Sequence, residues 1–347
     1  MPFPDFLGIG AQRSGTSWLA KNMSRHPNVW LPFTKELHYF DERINEPSFG
    51  AAIVRLLSRE VHPDDWYPWV WRYQLKIHLQ RYREAFNLRD ALWDFRYFGR
   101  SPSDKWYASL FDQEPGEIAG EITPEYATLE AGDVAHIHEL MPNAKIVLLI
   151  RNPIERTYSA ALWRLHLLME RKIIRGQRLE DVTDEQIVES LEHPVVKSQT
   201  NYLKTLDTWR QYYRDEQIFV GFFEDIQLHP TGMLRRLYKF LGVDPRKAPK
   251  TLKGKANARS SQQMPTWVAV HVAHAYHEDL QRLDSWFGGY ASFWLYCAQR
   301  LADEPLEGDT LRFPLRHSWL WDEWKRESGS LVAVGSSDAK LQSKALA

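Results

Sequence analysis

The sequence predicts an α/β fold: a mainly parallel sheet flanked by helices on both faces, with a helical, aromatic-rich insertion. Three observations carry this. Phe6–Gly10 is a short apolar run that ends in glycine and passes through a tight loop into a helical pattern. Lys145-Ile-Val-Leu-Leu-Ile-Arg151 is a continuous apolar run, the mark of a strand buried on both faces. Strand-like and helix-like segments alternate along the chain, the order expected of a sheet covered on both sides.

Taken in order, Phe6-Leu7-Gly8-Ile9-Gly10 reads as the first strand. Trp18 to Met23 begins a helix that stops before Pro27, and Val29-Trp30-Leu31 leads into Lys35-Glu36-Leu37-His38-Tyr39-Phe40. From Pro47 to about Arg100, Trp66, Tyr67, Trp69, Trp71, Tyr73, Tyr82, Trp93 and Tyr97 mark an insertion of two helices beside the core. Ile118 to Ile122 predicts a strand and Asp133 to Met141 a helix. After the buried strand, Pro153 has the fixed φ that suits a first helical turn, and apolar residues recur toward Met169. Gln177 to Glu189 is polar, a surface loop with a short helix. Val195 to Tyr213 is amphipathic, followed by a strand at Ile218 to Phe222 and a helix at Thr231 to Leu241. Lys250 to Met264 carries Lys250, Lys253, Lys255 and Arg259 without apolar period, which predicts a basic mobile loop. Pro265 to Trp286 is again helical. The chain divides into one domain over 1–290, with the insertion at about 47–100, a C-terminal extension over 291–327, and a small, polar tail over 328–347 expected to be disordered.

Composition narrows the class. The 44 Lys and Arg residues against 45 Asp and Glu leave a formal charge of −1, so no global field recruits nucleic acid or an anionic membrane. Apolar content of 44% with 26% charge is globular. The longest apolar run, Ile146 to Ile150, is far short of the ~18 residues a membrane helix needs. Met1 to Gly10 lacks the basic and apolar regions of a signal peptide, so a soluble cytoplasmic protein is expected. The single cysteine, Cys297, fits a reducing compartment and reads as a small buried hydrophobe. The 15 Trp, 15 Tyr and 16 Phe imply either a large core or a ring-binding surface.

Two motifs carry chemistry. Strand, Gln12-Arg13-Ser14-Gly15-Thr16-Ser17, then helix is the geometry that binds phosphate: backbone N–H groups and the helix N-terminus point at the anion. The alternative is a loop that merely caps a helix. The Gly-x-x-x-x-Gly-Lys-Ser/Thr pattern of nucleotide triphosphatases is absent. In the second motif, Arg151 ends a buried strand and Ser159 lies eight residues on, in the next helix. Ligands of open α/β sheets bind beyond the carboxyl ends of the strands, which puts Arg151 beside the first loop.

Together these motifs resemble the sulfotransferases that use 3′-phosphoadenosine 5′-phosphosulfate (PAPS), which share a P-loop-like fold. The resemblance implies that Arg13, Ser14, Gly15, Thr16, Ser17 and Trp18 cradle the 5′-phosphosulfate, and that Arg151 and Ser159 hold the 3′-phosphate. It extends to Gly120-Glu121-Ile122-Thr123-Pro124-Glu125-Tyr126, similar to the Glu-Lys-Thr-Pro-x-Tyr segment of heparan sulfate sulfotransferases, to Asn201-Tyr202, and to the basic loop with Lys255 and Arg259. Lys35 to Asp41 looks like the carbohydrate and bacterial branch, in which a glutamate at the position of Glu36 deprotonates the acceptor hydroxyl. Lys35 and Arg13 supply positive charge at the transferred group, and His38 is the competing base. No metal is called for; adenosine 3′,5′-bisphosphate (PAP) is the product. The acceptor implied is a hydroxyl of a carbohydrate, glycolipid or secondary metabolite, and self-association is left open. Two residues depart from the pattern: Arg13 stands where many relatives carry lysine, and Ile122 replaces the lysine of Glu-Lys-Thr-Pro. The rivals are a P-loop kinase and a non-catalytic nucleotide-binding protein on the same fold. His136 and His138 do not face one way on a helix; His271, His274 and Glu278 can share one face, but no His-Glu-x-x-His pattern appears and a solvated or core-facing helix is the preferred reading.

Overall fold

The computed structural model describes residues 2–41, 76–82, 87–99, 102–170, 181–252, 262–303 and 308–328. Five parallel strands form the central sheet: β1 (Phe6–Gly10), β2 (Val29–Trp30), β3 (Ile118–Ile122), β4 (Lys145–Ile150) and β5 (Ile218–Phe222), in the order β2-β3-β1-β4-β5. The chain leaves β1 to build one side of the sheet with β2 and β3, then returns across it to β4 on the other side. The carboxyl ends of β1, β3 and β4 therefore meet at a topological switch point, where such sheets open a crevice.

Side chains alternate across each strand, so every strand feeds two layers. Leu7, Ile9, Ile146, Leu148 and Ile150 face one core, with Val134 and Ile137 of the helix Ala131–Leu140 and Leu206 and Trp209 of the helix Tyr202–Trp209. Phe6, Ile122, Val147 and Leu149 face the other, with Trp18, Leu19 and Met23 of α1 (Thr16–Met23) and Met233, Leu234 and Leu237 of the helix Pro230–Leu241. Gly8 is demanded by this packing: a Cβ there would stand 2.7 Å from Ile122 Cγ1.

The predicted strands at Phe6–Gly10, 118–122, 145–150 and 218–222 all form. Two helical stretches are broken where one was expected. The 195–213 segment splits into Pro194–Ser198 and Tyr202–Trp209, the second opened by Asn201, whose side chain accepts from Lys204 N at 3.0 Å. The 265–286 segment is Thr266–Ala275 and His277–Phe287, hinged at Tyr276. Residues beyond 288 belong to the same core. The helix Tyr290–Asp303 places Trp294 against Phe222, and β7 (Thr310–Phe313) pairs antiparallel with β6 (Gln262–Pro265). Much of the aromatic surplus lies in these layers: Trp209, Trp294, Tyr107, Tyr126, Tyr202 and Tyr213 are among the largest fully buried side chains.

Of the insertion, residues 76–82 and the helix Leu88–Gly99 are described. Trp93 and Tyr97 pack into the main core, so this part is joined to the body of the protein. Trp66, Tyr67, Trp69, Trp71, Tyr73 and the tail after Ser328 lie outside the described residues, as do Lys255 and Arg259. Among the described residues no helix is long and apolar enough to cross a membrane.

Candidate active site

The loop after β1 turns sharply into α1. Arg13 has φ 68° and Gly15 φ 95°; glycine adopts the second at no steric cost. No side chain caps α1, so the first-turn amides of Thr16, Ser17 and Trp18 have neither an intrahelical nor a capping acceptor. Ser14 and Thr16 are buried, while Ser17 is exposed. The Trp18 ring lies in the core, which leaves its backbone N–H as the group able to face an anion.

The two sequence motifs converge. Arg13 Nε donates to Ser159 Oγ at 3.2 Å, and Arg151 Nη1 donates to the Arg13 carbonyl at 3.3 Å. Arg151 is less available than its place in the motif suggests. Its Nε and Nη2 both donate to Glu155 Oε2, at 3.1 and 2.9 Å, and it is only 3% exposed. Its guanidinium lies 4.4 Å from the ring of Phe223 and 5.1 Å from that of Phe313, and the other Glu155 oxygen accepts from Leu315 N at 2.8 Å. Phe313 and Leu315 thus close over the back of this arginine. Tyr202 of the Asn-Tyr pair donates its hydroxyl to the Arg151 carbonyl at 2.8 Å.

Sequence reasoning missed Arg156. It is fully buried and holds the loop from below, donating Nε to the Gln12 carbonyl at 3.0 Å and Nη1 to Val196 O and Thr200 Oγ1. Desolvation lowers its pKa, and its Nη2 has no hydrogen-bond partner. A buried cation of this kind favours a loop that carries an anion.

The segment from Lys35 to Asp41 is fastened on two sides. On one, Thr34 Oγ1 and His78 Nε2 are 2.9 Å apart, and His78 Nδ1 lies 2.6 Å from Asp94 Oδ1 in the insertion. On the other, Leu37 N donates to Thr123 Oγ1 at 3.1 Å and Tyr39 N to the Tyr126 hydroxyl at 3.1 Å. Thr123 and Tyr126 in turn donate to the fully buried Glu121, at 2.8 and 3.0 Å, as does Tyr107. Burial pushes the Glu121 carboxyl up to about 7. The Gly120–Tyr126 motif therefore holds the candidate catalytic segment in place, and Ile122 in the lysine position packs into the second core.

Lys35 is ion-paired with Glu36, and His38, at φ 54°, turns its ring between Glu36 and Asp41. His38 Nδ1 is 2.7 Å from Asp41 Oδ2 and Nε2 is 3.8 Å from Glu36 Oε2. Burial raises the Glu36 pKa, but the Lys35 ammonium and His38 outweigh it and hold the carboxyl at about 2. Burial opposes the charged His38, yet its hydrogen bonds to Asp41 and Glu36 hold its pKa well above the ordinary value. A third carboxylate, Glu125, joins them: ligand atoms of Glu36, His38 and Glu125 lie within 4.8 Å of one another. Burial, then the charge on Glu36, pushes Glu125 up to about 7.

Beside these residues runs a cleft of about 970 Å³. Ser17 and Lys21 of α1, Lys35 and Glu36 line it together with Trp30, Phe33, Arg81 and Trp93. One wall thus carries the loop's helix and the candidate base, and another carries the aromatic and basic side chains of the insertion. The other candidates have ordinary structural partners. His136 lies 3.0 Å from Asp104 Oδ1, His271 lies 2.9 Å from Glu192 Oε1, and Cys297 is wholly buried with its thiol pushed up by desolvation.

Residues 4–247 match the sulfotransferase family. Over 257 residues the chain is 23% identical to the bifunctional heparan sulfate N-deacetylase/N-sulfotransferase 2 of Bos taurus, an alignment that takes in 70% of this chain and 22% of that protein. Over 102 residues it is 28% identical to carbohydrate sulfotransferase 4 of Mus musculus, covering 29% of this chain and 26% of that one. The chain thus spans about a fifth of the length of the first of these curated relatives and about a quarter of the second. The crystal structure of a sulfotransferase from Alicyclobacillus acidocaldarius superposes with a TM-score of 0.52 at 22% identity, over 82% of this chain and 96% of that one, which establishes the fold.

Proposed function

The chain belongs to the sulfotransferase family, and from that premise we propose that it transfers a sulfuryl group from PAPS to the hydroxyl of a carbohydrate, glycolipid or secondary-metabolite acceptor, with Glu36 as general base. The observation that carries the reading is the cleft that Ser17, Lys35 and Glu36 line together.

The residues at the switch point fit the donor. Uncapped first-turn amides, the Arg13–Ser159 pair and the buried Arg156 beneath the loop form an anion cradle. The bound donor supplies a sulfuryl group on a phosphate leaving group, transferred in line through a loose transition state. Arg13 and the amides of Thr16 and Ser17 receive the charge that builds on the leaving oxygen. Lys35 swings from Glu36 toward the transferred group. That movement removes the main cation holding Glu36 acidic, so the carboxylate becomes a better base as the site fills. A sulfuryl group carries less charge than a γ-phosphate, so fixed cations and N–H donors suffice in this scheme without a metal. Ser159 takes the 3′-phosphate with Lys255 and Arg259, and Arg151 orders that corner through the Arg13 carbonyl. Trp30 and the exposed Phe33 offer ring surface to the acceptor. The lone cysteine supports a reducing, cytoplasmic setting.

The test is direct. With PAPS carrying a radiolabelled sulfuryl group and a panel of sugars, glycolipids and aryl alcohols, label moves to at least one acceptor with one equivalent of PAP released. Transfer of a phosphoryl group from Mg·ATP to the same panel, without sulfuryl transfer, contradicts the reading.

A further inference from the structure

We infer that Glu125 is the group on which the acceptor's proton comes to rest, passed from Glu36 by way of His38. The inference rests on the sulfuryl-transfer reading above and adds a residue that reading does not use.

The geometry is specific. Glu125 follows Pro124 at the carboxyl end of β3, across from the phosphate loop. Its Oε1 accepts from Gln12 Nε2 at 3.0 Å, which fixes the carboxyl plane, while its Oε2 is buried with no hydrogen-bond partner. A carboxyl oxygen of Glu125 lies within 4.8 Å of side-chain atoms of Glu36 and His38. Asp41 holds Nδ1 of the imidazole, which leaves Nε2 toward Glu36.

The proton has to go somewhere. As the acceptor oxygen bonds to sulfur, the bond from sulfur to the 5′-phosphate oxygen breaks, PAP leaves, and the O–H proton passes to Glu36. Glu36, still facing the charged His38 once Lys35 has turned to the donor, does not retain it. His38 is charged between three carboxylates; it gives one proton to Glu125 as it regains one from Glu36, so the ring ends unchanged. Glu125 holds that proton because ionising it costs desolvation and repulsion from Glu36. The charged groups that face Glu125 are Glu36, His38 and Asp41 of the 35–41 segment; the phosphate loop offers the neutral amide of Gln12.

Because the resting carboxylate must be ionised to accept, turnover rises with pH through an apparent pKa near the about 7 of Glu125. Glu125→Gln, which keeps an oxygen acceptor for Gln12, lowers kcat for PAP release from PAPS with the acceptor panel by roughly 10²-fold. It flattens that acid limb and leaves KM for PAPS within about twofold; Glu125→Asp restores part of the limb. Infrared pH titration of the full chain shows one protonated-carboxyl C=O band near neutrality lost in Glu125→Gln. Unchanged kcat and pH profile in the variant, or a dependence on added Mg²⁺ or Mn²⁺ that Glu125→Gln abolishes, overturns the inference while the transfer reading stands. Absence of PAPS turnover in the wild type overturns the reading itself, and the inference with it.

Discussion

Glu36→Gln lowers sulfuryl transfer by roughly 10²–10⁴-fold, the range by which a positioned general base accelerates a reaction, and leaves PAP affinity within about twofold. The substitution is nearly isosteric and removes only the ability to accept a proton. The argument for Glu36 over His38 is electrostatic. His38 is held protonated by Asp41 and Glu36, so at neutral pH it has no lone pair to offer. Glu36 is ionised, opens on the cleft, and gains basicity when Lys35 turns to the donor. Because Glu36 sits at about 2, its own titration lies far below neutrality, and an acid limb near pH 7 belongs to another group. Steady-state kinetics with PAPS and the responsive acceptor checks this. Normal turnover in Glu36→Gln together with a dead His38→Gln moves the base to His38.

Arg151→Ala destabilises the fold by about 3–5 kcal/mol, the cost of removing one partner of a buried ion pair. Glu155, buried beside it, is left without the guanidinium that accepts its charge on two hydrogen bonds. The rings of Phe223 and Phe313 lose the flat group between them, adding a cavity cost. Urea unfolding measures the loss. Arg151→Met combined with Glu155→Gln recovers most of it, because the uncompensated charge is gone. A double variant as unstable as Arg151→Ala shows that packing, not charge, carries the effect. If Arg151→Ala instead folds normally and loses only PAP affinity, the arginine is a free phosphate ligand and the ion pair is incidental.

The contrast between these two residues shows what was legible in the sequence. Buried parallel strands announce themselves because both faces are apolar, so β1, β3, β4 and β5 were readable, and with them the crevice at their carboxyl ends. Arg13, Arg151 and Ser159 were rightly drawn to one place. The state of Arg151 was half legible: Glu155 stands four residues on, the spacing of a helical ion pair. What could not be read is the contribution of Phe313 and Leu315, some 160 positions away. Nothing local marks Arg156; only the three-dimensional fold puts Gln12, Val196 and Thr200 around it. Glu125 sat inside a recognised motif at a position the motif leaves open, and nothing local marks it, since its raised pKa comes from Glu36 and burial. The aromatic surplus was ambiguous for the same reason. Composition does not separate Trp294 and Trp209 in the core from Phe33 on the cleft.

The central claim is that the crevice holds a 3′-phosphorylated adenosine nucleotide, and thermal unfolding of the full chain with PAP tests it most directly. A ligand bound only by the folded state stabilises it by RT ln(1 + [L]/Kd), about 2.7 kcal/mol at a hundredfold excess over Kd. PAP raises the melting temperature, and AMP and Mg·ATP do not. No shift with PAP, or a larger one with Mg·ATP, contradicts it.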